Sequence, residues 1–285
     1  MTSTAVVDAP ARTGSTRTPR LPSTLQVGLS RGMIELKQFF RQKDAVIFTF
    51  AFPAFLTFML GTIYDEPAHG TDVTMSQIFA AGMIAYGILS TAFISMGVGI
   101  SVDREDGTLK RLRGTPVTAG AYFIGKIILV AVAAIAETVL LLAVGVLLFD
   151  VELPTDPARW LTFAWLLPLS IVSCTLLGIA ASSLARSAKS APAVLNLPAI
   201  GLQFISGIFV HIAALPDAMV QVAAFFPVKW MGQGFRSVFL PDSMAAQEAA
   251  GAWEHGMTAL VLGAWCVIGL VLCLVTFRWT ERRTR

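Results

Sequence analysis

Six long blocks almost free of charge constrain this chain more than any other feature. They cover residues 45–63, 78–100, 122–148, 160–184, 193–213 and 256–277. A helix crossing the hydrocarbon core of a bilayer needs ~20 mostly apolar residues, and each block has that length. The blocks are predicted to be helical, because lipid offers no partner to an open strand edge. Barrel strands would run ~10 residues with strict alternation, which is missing here. Charged residues make up only 14% of the chain, against about 25% in soluble domains. A water-soluble globule of this size could not cover its surface with so few. Disorder, a secreted disulfide scaffold and an ordinary cytosolic enzyme are excluded on the same grounds. Cys174, Cys266 and Cys273 all fall inside apolar blocks and read as small packing residues. The expected fold class is an all-α integral membrane protein with six transmembrane helices.

The positive charges orient it. Of the 21 Lys and Arg, all but Arg159, Lys229 and Arg236 fall in residues 1–44, 101–126, 185–192 and 278–285. The positive-inside rule therefore predicts both termini in the cytoplasm. Acids cluster on the opposite side, among them Asp65, Glu66, Asp72, Asp150, Glu152, Asp156, Asp242, Glu248 and Glu254.

No cleavable signal segment is expected in the first 44 residues, which contain no apolar core of the required length. Residues 1–24 are rich in Thr, Pro, Arg and Ala and are read as a disordered basic arm, either a solvated tail or a contact for anionic lipid. In residues 25–43, Leu25, Leu29, Met33, Leu36 and Phe40 form one helical stripe, while Gln26, Ser30, Arg31, Glu35, Lys37, Gln38, Arg41 and Gln42 fill most of the rest. This predicts an amphipathic helix lying at the inner membrane surface.

The turn between the second and third blocks is chemically the richest, SVDREDGTLKRLRGTPVTAGAYFIGK, residues 101–126. Asp103, Arg104, Glu105 and Asp106 form a charged knot, and Gly107 permits a sharp change of direction. Residues 108–113 suit a short helix with Gly114 as its stop. Leu109 and Leu112 share a face, leaving Lys110, Arg111 and Arg113 for solvent, headgroups or a partner. Thr115 and Pro116 predict the next helix start. Either a force-transmitting knob or an ordinary charged loop fits these residues. Gly120, Gly125 and Lys126 imitate a phosphate loop, but Ile127 lacks the hydroxyl that would bind magnesium, and no buried strand precedes them. Nucleotide binding is rejected, so any ATPase must be a separate polypeptide.

Two stretches carry a resemblance. One comprises Glu105, Gly107, Thr108, Leu109, Leu112 and Pro116, ending in Gly125 and Lys126. The other comprises Leu197, Pro198, Ser206, Gly207, Ile208, Phe209, Leu215, Pro216, Phe226, Pro227, Gly234, Phe235 and Arg236. Over about residues 25–280 the sequence resembles the type-2 ABC transporter permeases, in particular the daunorubicin-resistance-type drug exporters. His211 departs from the Pro or apolar residue expected there.

The resemblance implies a half-transporter: two six-span subunits, a homodimer or a paralogous pair, each docking one cytosolic ATPase subunit. ATP and magnesium would sit on that partner, with no cofactor, metal or catalytic residue on this chain, which is not expected to be an enzyme or to bind nucleic acid. Glu105, Gly107, Thr108, Leu109, Arg111 and Leu112 would form the coupling helix within a coupling segment, 101–121. The membrane domain would span 44–278, with a short tail at 279–285. Residues 215–226, apolar and bracketed by Pro216 and Pro227, are read as a short outer helix dipping back into the membrane. The resemblance implies that an outer re-entrant region, 212–255, caps the external gate, with Ser206, Gly207, Pro216 and Pro227 at its joints.

Glu137 is an acid about midway along the third block. An intramembrane carboxylate is a functional candidate. It either faces a substrate cavity or hydrogen-bonds a neighbouring helix, with Asn196 and Gln203 as possible partners. Tyr86, Phe93, Phe204 and Phe209 are candidate lining groups of an apolar cavity. Ser170, Cys174, Gly178 and Ser182 recur every fourth residue along the fourth block, a small-residue stripe for close helix packing.

The expected function is export of hydrophobic or amphiphilic drug-like molecules across the plasma (inner) membrane. Export of a lipid or lipid-linked glycan is the alternative. A membrane-embedded enzyme is disfavoured, because His69, His211 and His255 all lie at or beyond the outer ends of the blocks and no metalloprotease or nucleophile-elbow pattern occurs. A channel or secondary transporter is disfavoured by the single midplane acid and the lack of an obvious repeat.

Overall fold

The computed structural model describes residues 23–64, 66–67, 72–115, 117–210 and 212–276. Most of the predicted basic arm, the tail at 279–285, Pro116, His69 and His211 lie outside the described residues.

The described chain is helical, its one β feature being an isolated bridge between Pro67 and Thr74. Helix α1 (Thr24–Arg41) starts at a capping box, in which Ser23 Oγ accepts from the Gln26 amide and Gln26 Oε1 accepts from the Ser23 amide. Helix α2 is Lys43–Ile63. Then α3 (Met75–Ile88), a π-helical segment (Leu89–Ser95) and α4 (Met96–Glu105) form one continuous rod. The short α5 is Thr108–Arg113, and α6 is Ala119–Phe149. Helix α7 (Pro157–Ala181) opens with Asp156 as its N-cap and Pro157 in its first turn. Helix α8 (Ala191–Ile205), α9 (Asp217–Phe225), α10 (Pro227–Phe239) and α11 (His255–Thr276) complete the order.

Among the described residues, five stretches are long and apolar enough to cross a membrane: 43–63, 75–105, 119–149, 157–184 and 255–276. These correspond to five of the six predicted spans. The fifth predicted span, 193–213, is corrected to a helix of 15 residues, about 22 Å long. That is shorter than a hydrocarbon core of ~30 Å. The cause is local: Gly207 takes a φ of +79°, which an L side chain rarely adopts, and the helix ends there.

The end carrying α5 is the one that the charges predict to be cytoplasmic, here the inner end; α10 marks the outer end. The rod of α3, π-segment and α4 is the most buried of the long stretches, whereas α2 and α11 expose most of their side chains. Helix α7 packs on this rod through its small residues. A Cβ on Gly178 would lie 2.6 Å from the Phe93 carbonyl oxygen and 2.9 Å from that of Ala92. Ser170, Cys174 and Ser182 are fully buried, as expected of the stripe.

Helix α10 was not anticipated as a core element. Its sequence, PVKWMGQGFRSVF, mixes charge with aromatics, yet every residue of it is buried. Helix α9 lies where the short outer helix was predicted and leaves the apolar Met219, Val222 and Phe225 uncovered by the rest of the protein. The outer element wedged into the protein core is α10.

Candidate functional site

The inner turn is built as its residues suggest, with one change. Gly107 has a φ of +79° and precedes α5. Asp106 Oδ1 accepts from the Thr108 amide at 2.8 Å, and the Thr108 hydroxyl and amide together hold the Asp106 carboxyl below its usual range. Arg111 donates to Thr108 Oγ1 at 3.0 Å, and Thr115 Oγ1 closes the helix by donating to the Leu112 carbonyl at 2.6 Å. The following helix begins at Ala119, with Thr118 rather than Thr115 as its N-cap; Thr118 Oγ1 accepts from the Ala121 amide at 3.2 Å.

The six predicted coupling residues share this turn but not one exposure, Gly107 and Thr108 being half-buried. Leu109 is fully buried and Leu112 half-buried, so they seat α5 on the bundle. Glu105, Lys110, Arg111 and Arg113 are exposed. Glu105 also accepts from the Ala188 amide, and Arg104 donates to the carbonyl and hydroxyl of Ser182 at 3.1 and 3.2 Å. These bonds tie the inner ends of α4 and α7 together.

Beside the turn lies a buried ionic chain that was not foreseen. Arg31 pairs with Glu35 at 2.7 Å, Glu35 with Lys126 at 2.9 Å, and Lys126 with Asp103 at 2.8 Å. The Tyr122 hydroxyl donates to Asp103 at 2.8 Å. Two cations and two carboxylates cancel, which is how buried charge is tolerated. The chain joins α1, α6 and α4. Backbones must approach closely for this, and glycines allow it. A Cβ on Gly28 would lie 2.6 Å from Ile124 Cγ2, and one on Gly125 would lie 2.7 Å from Arg31 Cγ. Gly125 and Lys126, the phosphate-loop imitation, thus have a packing and pairing role. The Gly28-x-x-x-Gly32 spacing was the legible signal that was missed.

At mid-depth Glu137 is 1% exposed. Its Oε2 accepts from Thr91 Oγ1 at 2.7 Å, and among the described residues its Oε1 has no hydrogen-bond partner. A Cβ on Gly87 would lie 2.7 Å from that Oε1. The geometry thus favours a hydrogen bond to a neighbouring helix, with Thr91 of the π-segment as the donor. Asn196 instead bonds its own helix, donating to the Pro192 carbonyl at 2.8 Å. The ring centroids of Tyr86 and Phe209 lie 5.6 Å apart, those of Phe209 and Phe204 5.4 Å, and those of Phe52 and Tyr86 6.4 Å. Phe204 is half exposed, and Phe93 lies on the π-segment against Gly178. A cavity of about 610 Å³ exists elsewhere, at the outer end between residues 72–77, 150–159 and 239–242; no residue predicted to line a cavity borders it.

At the outer end, Arg236 of α10 holds Glu248 through two bonds of 2.6 and 3.1 Å and donates to the Gly207 carbonyl at 2.9 Å. A planar guanidinium suits this three-point grip. Ser206 is buried beside Gly207, at the end of α8; Pro216 precedes α9, and Pro227 opens α10. Most of the remaining polar groups of α10 have partners, the buried Gln233 Oε1 being an exception among the described residues. Gln233 donates to the Ala252 carbonyl at 3.2 Å, His255 Nε2 lies 2.9 Å from Ser237 Oγ, and the Lys229 ammonium stands 4.0 Å from the Trp230 ring.

The family model described as ABC-2 type transporter matches residues 31–240, a stretch running from the ionic chain at Arg31 to the end of α10. The chain belongs to the ABC-2 type transporter family. A comparison with curated proteins found no match. The chain is thus the membrane domain of an ABC-2 transporter, a transport component of multi-pass helical build rather than a catalytic one. In this ABC-2 permease both stretches that carried the resemblance fall at structural joints: the first at the α4–α5 turn and the α6 start, the second at the α8 break and α10.

Proposed function

We propose that this permease is the membrane subunit of an ATP-driven exporter of hydrophobic or amphiphilic drug-like molecules, worked by a separate ATPase docked at α5. One observation carries the reading. Helix α5 is anchored on its apolar side by fully buried Leu109 and presents Lys110, Arg111 and Arg113 outward, while Glu105 and Arg104 fix the preceding helix end to α7. A push on α5 therefore meets a seated lever, not a loose loop. Glu105, Gly107, Thr108 and Arg111 shape and face the docking surface; Leu109 and Leu112 hold it in place.

The cargo class is supported by the chain of rings Phe52, Tyr86, Phe209 and Phe204, with Phe204 half open. Ser206, Gly207, Pro216 and Pro227 are the joints of an outer gate whose moving parts are α8 and α10. The permease pairs with a second copy or a paralogue in the plasma membrane, with both termini in the cytoplasm. ATP drives the cycle because the two ATPases bind it differently in the two states of the complex.

Vesicles holding the permease with an ABC-type ATPase test this. Efflux of a lipophilic dye is expected with both proteins and ATP, and not with the permease alone or with an ATPase lacking its phosphate-loop lysine. Gly107→Val forces a β-branched side chain to a φ of +79°. It is expected to lower transport per ATP about tenfold, equivalent to ~1.4 kcal/mol, while the protein still inserts. Unaided transport by the permease would overturn the reading.

A further inference from the structure

The buried ionic chain at the inner end has a position that packing alone does not demand. Asp103 lies in the last turn of α4, two residues before Glu105 and four before the Gly107 pivot. Lys126 lies in the second turn of α6, and Glu35 in the middle of α1. Helix α1 is otherwise held to α6 by glycine-on-isoleucine contacts of Gly28 and Gly32 and by a 3.4 Å contact between the Thr24 and Thr118 hydroxyls. Away from that seam, Leu25, Leu29, Met33 and Phe40 form an exposed stripe. Helix α1 thus lies between an apolar face open to its surroundings and one polar clasp.

We propose that Lys126 is a positioning residue of the transport stroke: by bridging Glu35 of α1 and Asp103 of α4 it makes α1 and the α4–α5 turn move as one body. This rests on the reading that α5 receives the ATPase's push. The ammonium is suited to the task because it donates to two carboxylates from different helices at 2.9 and 2.8 Å while 8% exposed. Each carboxylate has a second partner, Arg31 for Glu35 and Tyr122 for Asp103. Removing the bridge therefore cuts the ionic link from α1 to α4 without leaving either acid unpartnered; only the Tyr122–Asp103 bond and the glycine contacts of α1 on α6 then join them. The coupled displacement carries the amphipathic face of α1 along with the turn, so a push at α5 is delivered to the α1–α6 pair as well as down the α4 rod.

The test uses the full chain in lipid nanodiscs, with Cys174, Cys266 and Cys273 replaced by alanine and spin labels at Lys37 and Lys110, both exposed. One narrow distance distribution is expected in the otherwise native chain. Lys126→Met is expected to broaden it. Glu35→Ala, which spares the Lys126–Asp103 pair, is expected to do the same should Lys126→Met fold poorly. A narrow distribution in the folded variants would overturn the proposal. With the ATPase and ATP added, the 37–110 distance should hold in the native chain while a second pair, Lys110 and Leu161, changes. In Glu35→Ala the 37–110 distance should change too, and transport per ATP should fall about tenfold. Unchanged transport per ATP beside a broadened distribution would make the clasp purely structural and overturn the proposal. If neither distance responds to ATP in the native complex, it is docking at α5 that fails, and the transmission with it, while the α1–α5 link stands as measured.

Discussion

At the outer end Arg236 and Glu248 close on each other with both side chains 4% exposed, whereas at the inner end Arg31, Glu35, Lys126 and Asp103 are strung in a line whose terminal members stay 19% and 17% exposed. The outer pair is a lock. One guanidinium satisfies one carboxylate and one carbonyl, that of Gly207, and nothing can be removed without orphaning a buried charge. The inner chain is a clasp, because every acid has two partners and the ends reach toward water. Similar ion-pair chemistry thus serves two mechanical ends: a fixed outer joint and an inner linkage that ties three helices together.

The largest expected effect follows from the lock. Arg236→Met leaves Glu248 charged and buried, which costs about 3–5 kcal/mol. The expected readout is a large drop in thermal stability of the purified protein, with loss of the turn at Ser206 and Gly207. Arg236→Lys should rescue little, since an ammonium cannot make the paired grip on carboxylate and carbonyl together. Adding Glu248→Leu to Arg236→Met should recover much of the loss. Failure of the double variant to recover would mean that the carbonyl bond to Gly207, not the ion pair, carries the stability.

The same measurement on the clasp should give a smaller number. Lys126→Met removes two charge-assisted bonds, but Arg31 and Tyr122 remain to hold the two acids. The expected loss is about 2 kcal/mol, nearer one charged hydrogen bond than a broken buried pair. A loss equal to that of Arg236→Met would erase the distinction between lock and clasp.

How much of this was legible in the sequence differs between the two ends. Hydropathy predicted six spans, and five of them are long apolar helices, because block length is a local property. The short inner helix at 108–113 was legible from Gly107, Gly114 and the Leu109–Leu112 spacing. The α8 break was not, since 193–213 is apolar throughout and only the conformation of Gly207 ends the helix. Helix α10 was hidden by its own charges: Lys229 and Arg236 read as surface residues until a ring and a carboxylate neutralise them. Glu35 and Lys126, 91 residues apart, pair only through the tertiary fold. Glu137 was noticed as unusual, but its donor, Thr91, lies on a π-helical segment that no local pattern announced.

Two of the left-handed glycines set the inner and outer joints against each other on a smaller scale. Gly107 and Gly207 share a φ of +79°. Alanine in that region costs about 1–2 kcal/mol at either position. The surroundings differ, however. A Cβ on Gly107 meets nothing within 4 Å, whereas one on Gly207 lies 3.4 Å from the Arg236 guanidinium and from Ile212 Cβ. Gly207→Ala is therefore expected to cost more than Gly107→Ala in thermal stability. Equal losses would show that backbone strain alone sets both joints and that the outer lock does not crowd its turn.

The smallest expected effect concerns charge at the inner turn. Asp106 is exposed, and its carboxyl is held below its ordinary value of 3.8 first by the Thr108 hydroxyl and then by the Thr108 amide. A carboxyl with a depressed folded pKa favours the folded turn above its unfolded pKa, and that support is lost as pH falls through the lower, folded value. Exchange at the Thr108 amide, divided at each pH by the rate of an unprotected amide, should therefore be low and flat above pH 3.8 and rise below it. Asp106→Asn keeps an acceptor for the Thr108 amide but removes the titrating charge, so its exchange profile should lose that acid-side rise. At the outer joint the corresponding carbonyl, that of Gly207, is held by a guanidinium rather than by holding an amide itself. If Asp106→Asn kept the same acid-side rise, protonation of another carboxylate would be loosening α5, and Glu105, which ties this end of α4 to the Ala188 amide, would be the next residue to replace.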